Sequence, residues 1–493
     1  MSLFKQNLIF GTFYIGIAKY AGIVCQLFIS AILARLLTPN DFGVIAIATV
    51  LMAFFNILSD IGIGVAVIQR KDLTEDDLNH LYSTNVYIGA IFSILFFLSS
   101  GIISSFYDNE QLYHVCQLLS LLILLTCAIT VPMNMLYREK QFKYIAITNL
   151  SVQLISGIIA IFAALVGWGV YALVSSQILS AFFLLLIYSM KYKRRFHFKI
   201  DLSPLKRIFS YSVYNFLGMI FCYFTLNIDK LIVGKYTGTT ALGYYEKSYR
   251  LVFMPIQNIT FVITPVLHPL FSDFQNDYKE ICHKFMKLVS VLAYIAFPLS
   301  VYCFFISKEL ILIFFGDQWY EAIPPFKIMS LAISWLMIDT MVGSIMNAAN
   351  KTKRGFYTMV VMSSIMILSV FVAILIWNSI IAVAWAFLFA KTVGTLINYY
   401  SLMTALEQSF TVFIRKIIKP FLLSILLFGL MWGMEEMILI DNIVISLLSK
   451  SFIVFVASSV FIQLFSGFNV WRYLYLKIIS VASNLRNKHN DDE

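Results

Sequence analysis

The sequence predicts an all-α polytopic membrane protein with about fourteen transmembrane helices, and three observations carry the prediction. Sixty per cent of the 493 residues are hydrophobic and only 13% are charged, roughly half the charged share of an ordinary soluble domain. Apolar runs recur along the whole chain, each long enough for a helix to cross a bilayer core of about 30 Å. Lysine and arginine collect in alternate connections, as the positive-inside rule requires of helices threaded in order.

Backbone polar groups in lipid must bond internally, so these runs are read as helices. Spans are expected near residues 10–34, 42–67, 81–105, 112–136, 145–166 and 169–190. A basic connection, KYKRRFHFKIDLSPLKR (191–207), follows. Further spans are expected near 209–234, 250–271, 285–306, 323–349, 356–377, 380–404, 417–434 and 442–466. The first run is long, shows no small-residue cleavage site and reads as an uncleaved helix. With both termini in the cytoplasm, 26 of the 36 basic residues fall on the inner side, 6 outside and 4 within spans. A wrong helix count would scramble that alternation. Trp168, Trp319 and Trp377 near the outer span ends suit an aromatic belt. Residues 272–287 read either as an amphipathic surface helix leading into the ninth span or as a solvated linker.

The chain repeats itself. The turn Thr38-Pro39-Asn40-Asp41-Phe42-Gly43 returns 200 residues later within Lys235 to Gly243, with Leu242-Gly243 in place of Phe42-Gly43. PMNMLYREKQF (132–142) returns as IMNAANKTKRGF (345–356). Both copies enter from the same side, which indicates a parallel six-helix repeat. The expected organisation is a lobe over 1–200, a second over 201–405, two further helices over 406–470 and a cytoplasmic tail over 471–493. The net charge of +10 belongs to cytoplasmic loops, not to a nucleic-acid site. Cys25, Cys116, Cys127, Cys222, Cys282 and Cys303 form no CxxC pair, so neither a disulfide framework nor a metal site is expected. No GxxxxGK loop is present, which argues against direct ATP hydrolysis.

LLTPNDFG, LSDIGIGVAVIQRKDLTEDDL and MLYREKQFK resemble signatures of the bacterial polysaccharide and lipid-linked oligosaccharide flippase family. The resemblance is to its colanic-acid and teichuronic-acid exporter branch, within the multidrug, oligosaccharidyl-lipid and polysaccharide exporter superfamily. The motifs lie in residues 30–145, while span count and duplication extend the likeness to the whole chain. It implies two six-helix lobes around a central cavity plus two extra helices. It also implies movement of an undecaprenyl-pyrophosphate-linked repeat unit across the bacterial inner membrane, with no enzymatic step. The partners implied are the lipid-linked oligosaccharide, membrane lipids and polysaccharide polymerase machinery, with one chain completing a cavity as a monomer.

Charges inside spans are costly and point to function. Lys19 lies midway along the first span, with Gln26 seven residues on and on the same helical face. Lys230, Arg250 and Lys391 mark the seventh, eighth and twelfth spans. A pyrophosphate leaving water needs cationic partners, so Lys19, Gln26, Lys230, Arg250 and Lys391 are the expected cavity residues. Snorkelling explains Lys230 equally well, and Arg250 reads equally as an interfacial anchor. Lys450, outside the duplicated core, reads as snorkelling or as a structural pair. Asn56 and Asp60 share a face of the second span; with Asp229 and Asp339 they are structural or gating candidates. Pro255 and Pro265, with Pro269, make the eighth span the candidate bending helix. No cofactor is expected beyond a coupling ion, H+ or Na+.

Two rivals remain at this level. A cation-coupled multidrug exporter would carry carboxylates within its spans, where this chain carries more bases. A polymerase or ligase of polysaccharide synthesis would carry a large outer loop, and the longest outer connections here are about fifteen residues.

Overall fold

The structure is a computed structural model. It describes the backbone of residues 3–59, 62–70, 72–198, 213–275, 277–437 and 442–466. Side chains are described within these ranges except at 3–19, 213–222, 261–262, 265–266, 268–269, 462 and 465–466. The first half runs α1 (Leu3–Leu36), α2 (Pro39–Ser59), α3 (Ile63–Gln69), α4 (Glu75–Tyr107), α5 (Gln111–Arg138), α6 (Phe142–Leu165) and α7 (Val170–Lys191). The second begins with α8 (Val213–Tyr236), α9 (Thr239–Pro255), a π turn (Ile256–Thr260), α10 (Phe261–Ser272) and α11 (Tyr278–Phe305). There follow α12 (Ser307–Phe315), a 3-10 turn (Asp317–Ala322), α13 (Ile323–Ser330), α14 (Ile333–Asp339), α15 (Val342–Ala348), α16 (Thr352–Trp377) and α17 (Ile380–Ala405). The chain continues with α18 (Phe410–Met437) and α19 (Ile443–Ser466).

Ten helices among the described residues are long and apolar enough to span a membrane: α2, α4 to α7, α11 and α16 to α19. The segments 317–330 and 333–348, bent by 51°, make an eleventh if they form one span.

Backbone contacts divide the chain into two compact units. Residues 1–247, 314–319 and 370–380 form the first. Its centre is α5, which packs against α2, α3, α4 and α7. Elsewhere in the unit, Leu33 and Leu37 of α1 pack on Ala160, Ala163 and Ala164 of α6. Between membrane helices the gain comes from close packing, so small residues mark such seams. Residues 248–313, 320–369 and 381–493 form the second unit. There α11 packs against α13, α14 and α18, and Val301 and Phe305 meet Leu423, Leu427 and Met431 in one core cluster.

Local signals account for the ends. Thr74 caps α4 in a reciprocal capping box with Asp77, which satisfies two otherwise orphaned donors. The two copies of the Met-Asn turn close their helices alike: Lys140 (φ 59°) and Asn350 (φ 56°) are both left-handed. In each, the next amide reaches back five residues, Gln141 to Leu136 and Lys351 to Met346, a Schellman closure.

Three expectations are corrected. The second span is not continuous: α2 stops at Ser59 and α3 starts after Gly62, whose φ of 82° suits glycine. The segment 235–249 is not an outer loop, because α9 begins at Thr239 and carries Glu246, Lys247 and Arg250 on a helix. The tenth span is likewise broken into α13, α14 and α15. Residues from Tyr278 onward join α11, with Asp277 accepting from the Glu280 amide at 3.0 Å. Within 272–287 the helix thus starts at Tyr278, while residues 273–275 form a turn.

Candidate functional site

Pro255 ends α9, and the π turn follows directly. Proline cannot donate to the helix ladder, and the extra residue of a π turn absorbs the missing bond. The side chains of Pro265 and Pro269 lie outside the described residues, as do those of Lys19 and of Asp60.

The first unit gathers a polar and aromatic cluster where α8 and α9 face each other. Tyr245 donates to the Asp229 carboxylate at 2.8 Å. Lys230 pairs with Glu246 at 2.9 Å, both side chains being almost wholly enclosed. The Tyr223 hydroxyl donates to the Val50 carbonyl of α2. A buried ammonium needs a counter-charge to offset its lost hydration, and Glu246 provides one. Lys230 is therefore an ion-paired residue of the α8–α9 seam, which replaces the snorkelling reading.

Two residues on from Tyr245, the partner of Asp229, Lys247 sits in an aromatic box. Its Nζ lies 3.8 Å from the ring centre of Phe42, 4.8 Å from Phe315 and 5.3 Å from Trp319, and 3.2 Å from the Ser30 hydroxyl. Ring quadrupoles attract a cation at these distances. Trp319 is fully buried and donates its indole N–H to the Ala34 carbonyl at 2.7 Å. It is therefore a packing residue, not a member of an aromatic belt; Trp168 and Trp377 are exposed. Sequence reasoning missed Glu246 and Lys247 because it placed both in a solvated loop. Their four-residue relation to Leu242 and Gly243 was the available helical signal.

Gln26 is exposed on α1, and Arg250 is exposed on α9. In the second unit, Lys391 of α17 lies half-buried, 5.5 Å from the Phe387 ring centre. Asn398 of the same helix donates to Asp339 at 2.7 Å. Asn56 accepts from Thr126 at 3.1 Å, bracing α2 against α5. Lys450 donates to Glu309 at 2.7 Å and to Glu435 at 2.8 Å. This is the structural pair, and it ties α19 to α12 and α18.

Described residues that are helical almost throughout, with broken spans and charged residues held inside apolar helices, have the architecture of a membrane transporter. The fold is that of the flippases and multidrug exporters. It superposes on the lipid II flippase MurJ in an inward closed conformation with TM-score 0.71 at 16% identity, over 91% of this chain and 98% of that one. An inward-facing multidrug resistance transporter of the MATE family follows at TM-score 0.59 and 12% identity, over 78% and 94%. Residues 32–324 match the polysaccharide biosynthesis protein family, and the chain belongs to it. It is 26% identical to the teichuronic acid biosynthesis protein TuaB of Bacillus subtilis, over 88% of this chain and 91% of that protein. Similarity to the lipopolysaccharide biosynthesis protein WzxC of Escherichia coli is 25%, over 86% and 87%.

Proposed function

We propose that the chain is a flippase that moves an undecaprenyl-pyrophosphate-linked oligosaccharide repeat unit across the bacterial inner membrane for surface polysaccharide synthesis. The observation that carries this reading is the joint match: a polysaccharide biosynthesis family over residues 32–324 and a lipid flippase fold over 91% of the chain. Both termini lie in the cytoplasm. Two lobes, residues 1–200 and 201–405, alternate access to a central cavity, and residues 406–470 add two helices ahead of a tail over 471–493. With those two, the spans number fourteen. The chain acts as a monomer and hands its product to the polymerase machinery.

The chemistry needed is modest. The lipid tail stays in hydrocarbon, while the pyrophosphate and sugars must leave water. An anion loses several kcal/mol of hydration in that step unless cations replace it. Lys19, Arg250 and Lys391 contact the pyrophosphate, Gln26 hydrogen-bonds to the head group, and Lys230 contributes through its exchangeable pair with Glu246. Asp60, Asp229 and Asp339 hold the broken helices in place, and the bend at Pro255 moves with the change of access.

The test replaces Lys19 and Lys391 singly with alanine in cells lacking their own flippase and follows outward appearance of the lipid-linked oligosaccharide. Loss of one charged contact of about 1.5–3 kcal/mol predicts at least a tenfold lower rate at unchanged protein amount. Full transport by both variants refutes the cationic cavity. If the unmodified protein moves no such lipid but lowers drug accumulation, the multidrug-exporter reading takes its place.

A further inference from the structure

The basic connection after α7 is docked in an extended form along one face of α4. The Arg194 guanidinium bonds Glu75, the Arg195 amide donates to Asn79 at 3.1 Å, and the His197 amide donates to the Ser83 hydroxyl at 2.8 Å. The Tyr87 hydroxyl closes the series on the Phe198 carbonyl at 3.3 Å. Glu75, Asn79, Ser83 and Tyr87 recur every four residues, so they form a single stripe of the helix. Beside that stripe, Asp76 and His80 project from the same helix and meet His197 from the connection.

We infer that Asp76, His80 and His197 form a binding site for a divalent transition-metal cation of the zinc type, which clasps the connection onto α4. His80 Nε2 lies 3.6 Å from one Asp76 oxygen, and His197 Nε2 lies 3.6 Å from the other. These spacings are too long for hydrogen bonds, which end near about 3.2 Å. They approach the edge of a tetrahedron around zinc, roughly 3.3 Å for metal–nitrogen bonds of about 2.0–2.1 Å. One ligand atom from each residue lies within 4.8 Å of the other two, so a small movement brings all three onto one ion. The imidazole rings are stacked with centroids 4.6 Å apart and planes 21° from parallel; each lone pair lies in its ring plane, so one ring must turn about its side-chain bonds for both nitrogens to meet one ion.

A second observation points to a ligand. His197 Nε2, the nitrogen that faces Asp76, is a buried atom that hydrogen-bonds to no described residue. A buried imidazole nitrogen without a partner is uncommon, and metal coordination is one of the states that explains it. Two nitrogens and one carboxylate oxygen suit zinc, cobalt or nickel better than calcium or magnesium, which prefer all-oxygen shells. Asp76 is largely exposed, which leaves the fourth position to water. No sequence motif marks the cluster, since His80 and His197 stand far apart and share no metal-binding spacing. The connection joins the two halves of the repeat, so a bound ion would hold its first residues in register on α4.

The test uses the full chain in detergent, purified without a polyhistidine tag, and cobalt as the probe. The unmodified protein should bind one cobalt ion with a visible ligand-field band that zinc displaces. H197Q and D76N should each weaken binding at least tenfold, whereas H283A, remote on α11, should not. Zinc should also slow tryptic cleavage at Lys193 to Arg195 several-fold in the unmodified protein and leave the rate in H197Q unchanged. No cobalt band, or binding that H197Q leaves intact, overturns the site and reduces the cluster to an ion pair.

Discussion

Gly43 and Gly243 face each other's helices in reciprocal fashion: a Cβ at either would overlap the backbone carbonyl four residues before the other, Thr239 or Pro39. The repeated turn that is visible in the sequence is therefore a contact as well as a repetition. The first turns of α2 and α9 cross at backbone distance, with Asn109 bracing Thr239 through its hydroxyl at 3.4 Å. Only glycine permits this approach, the same device that lets small residues seat transmembrane helices together.

The first prediction concerns this crossing. Gly43→Ala and Gly243→Ala should each destabilise the protein by about 1–3 kcal/mol, the usual cost of forcing atoms into a packed seam. Gly433→Ala, where nothing lies within 4 Å, should be neutral or slightly stabilising, because alanine is the better helix former. Thermal unfolding in detergent checks all three. Equal melting temperatures for G43A and G433A would refute the tight crossing.

A second prediction follows from the aromatic box. Trp319→Phe keeps a ring but removes one of the two side-chain donors to the Ala34 carbonyl, the Gln318 amide being the other, and should cost about 0.5–1.5 kcal/mol. Lys247→Met keeps the stem and removes the charge over Phe42, for a loss of about 0.5–2 kcal/mol. Because the two residues touch, the double variant should lose less than the two single losses added together. Strict additivity in unfolding measurements would show that the box is not a cooperative unit.

The third prediction addresses Lys230. If Glu246 is its counter-charge in the resting protein, K230M and E246L singly should both lower stability, and K230M/E246L should recover part of it. A coupling on the order of 0.5–3 kcal/mol is expected. K230M should reduce transport further than the stability loss explains if Lys230 also meets the pyrophosphate. A stable K230M/E246L protein with full transport would confine the pair to structure.

The helices were legible wherever a run was uniformly apolar, because lipid leaves the backbone no other way to satisfy its bonds. Hence α4 to α7 and α16 to α19 fall close to their expected places. Reading failed where a span carries polar residues or a break. Glu246 and Lys247 looked like a loop because each charge is costly until its partner is known. Only the fold shows that Glu246 answers Lys230 and that three rings enclose Lys247. The left-handed Gly62 and the 51° bend between 317–330 and 333–348 interrupt runs that stay largely apolar, so a hydropathy window passes over them. Docking of the connection on α4 was equally hidden, since the four-residue spacing of Glu75, Asn79, Ser83 and Tyr87 does not say what lies against them.

The last prediction tests the anchorage of α19. Lys450 and Glu309 are both nearly inaccessible and 2.7 Å apart, with Lys450 also donating to the Phe305 carbonyl at 2.8 Å and Ser446 bonding the same Glu309 oxygen at 2.6 Å. Such a pair adds little over an apolar isostere, but breaking one side leaves an uncompensated charge, at a cost of about 3–5 kcal/mol. K450M should therefore lower the melting temperature sharply, and E309Q/K450M should restore much of it. Glu435 is more exposed and can turn towards water, so E435Q should matter far less. If K450M melts with the unmodified protein, the charge is not what fastens α19 to α12, and the apolar seam of Val301, Leu427 and Phe461 holds the last two helices alone.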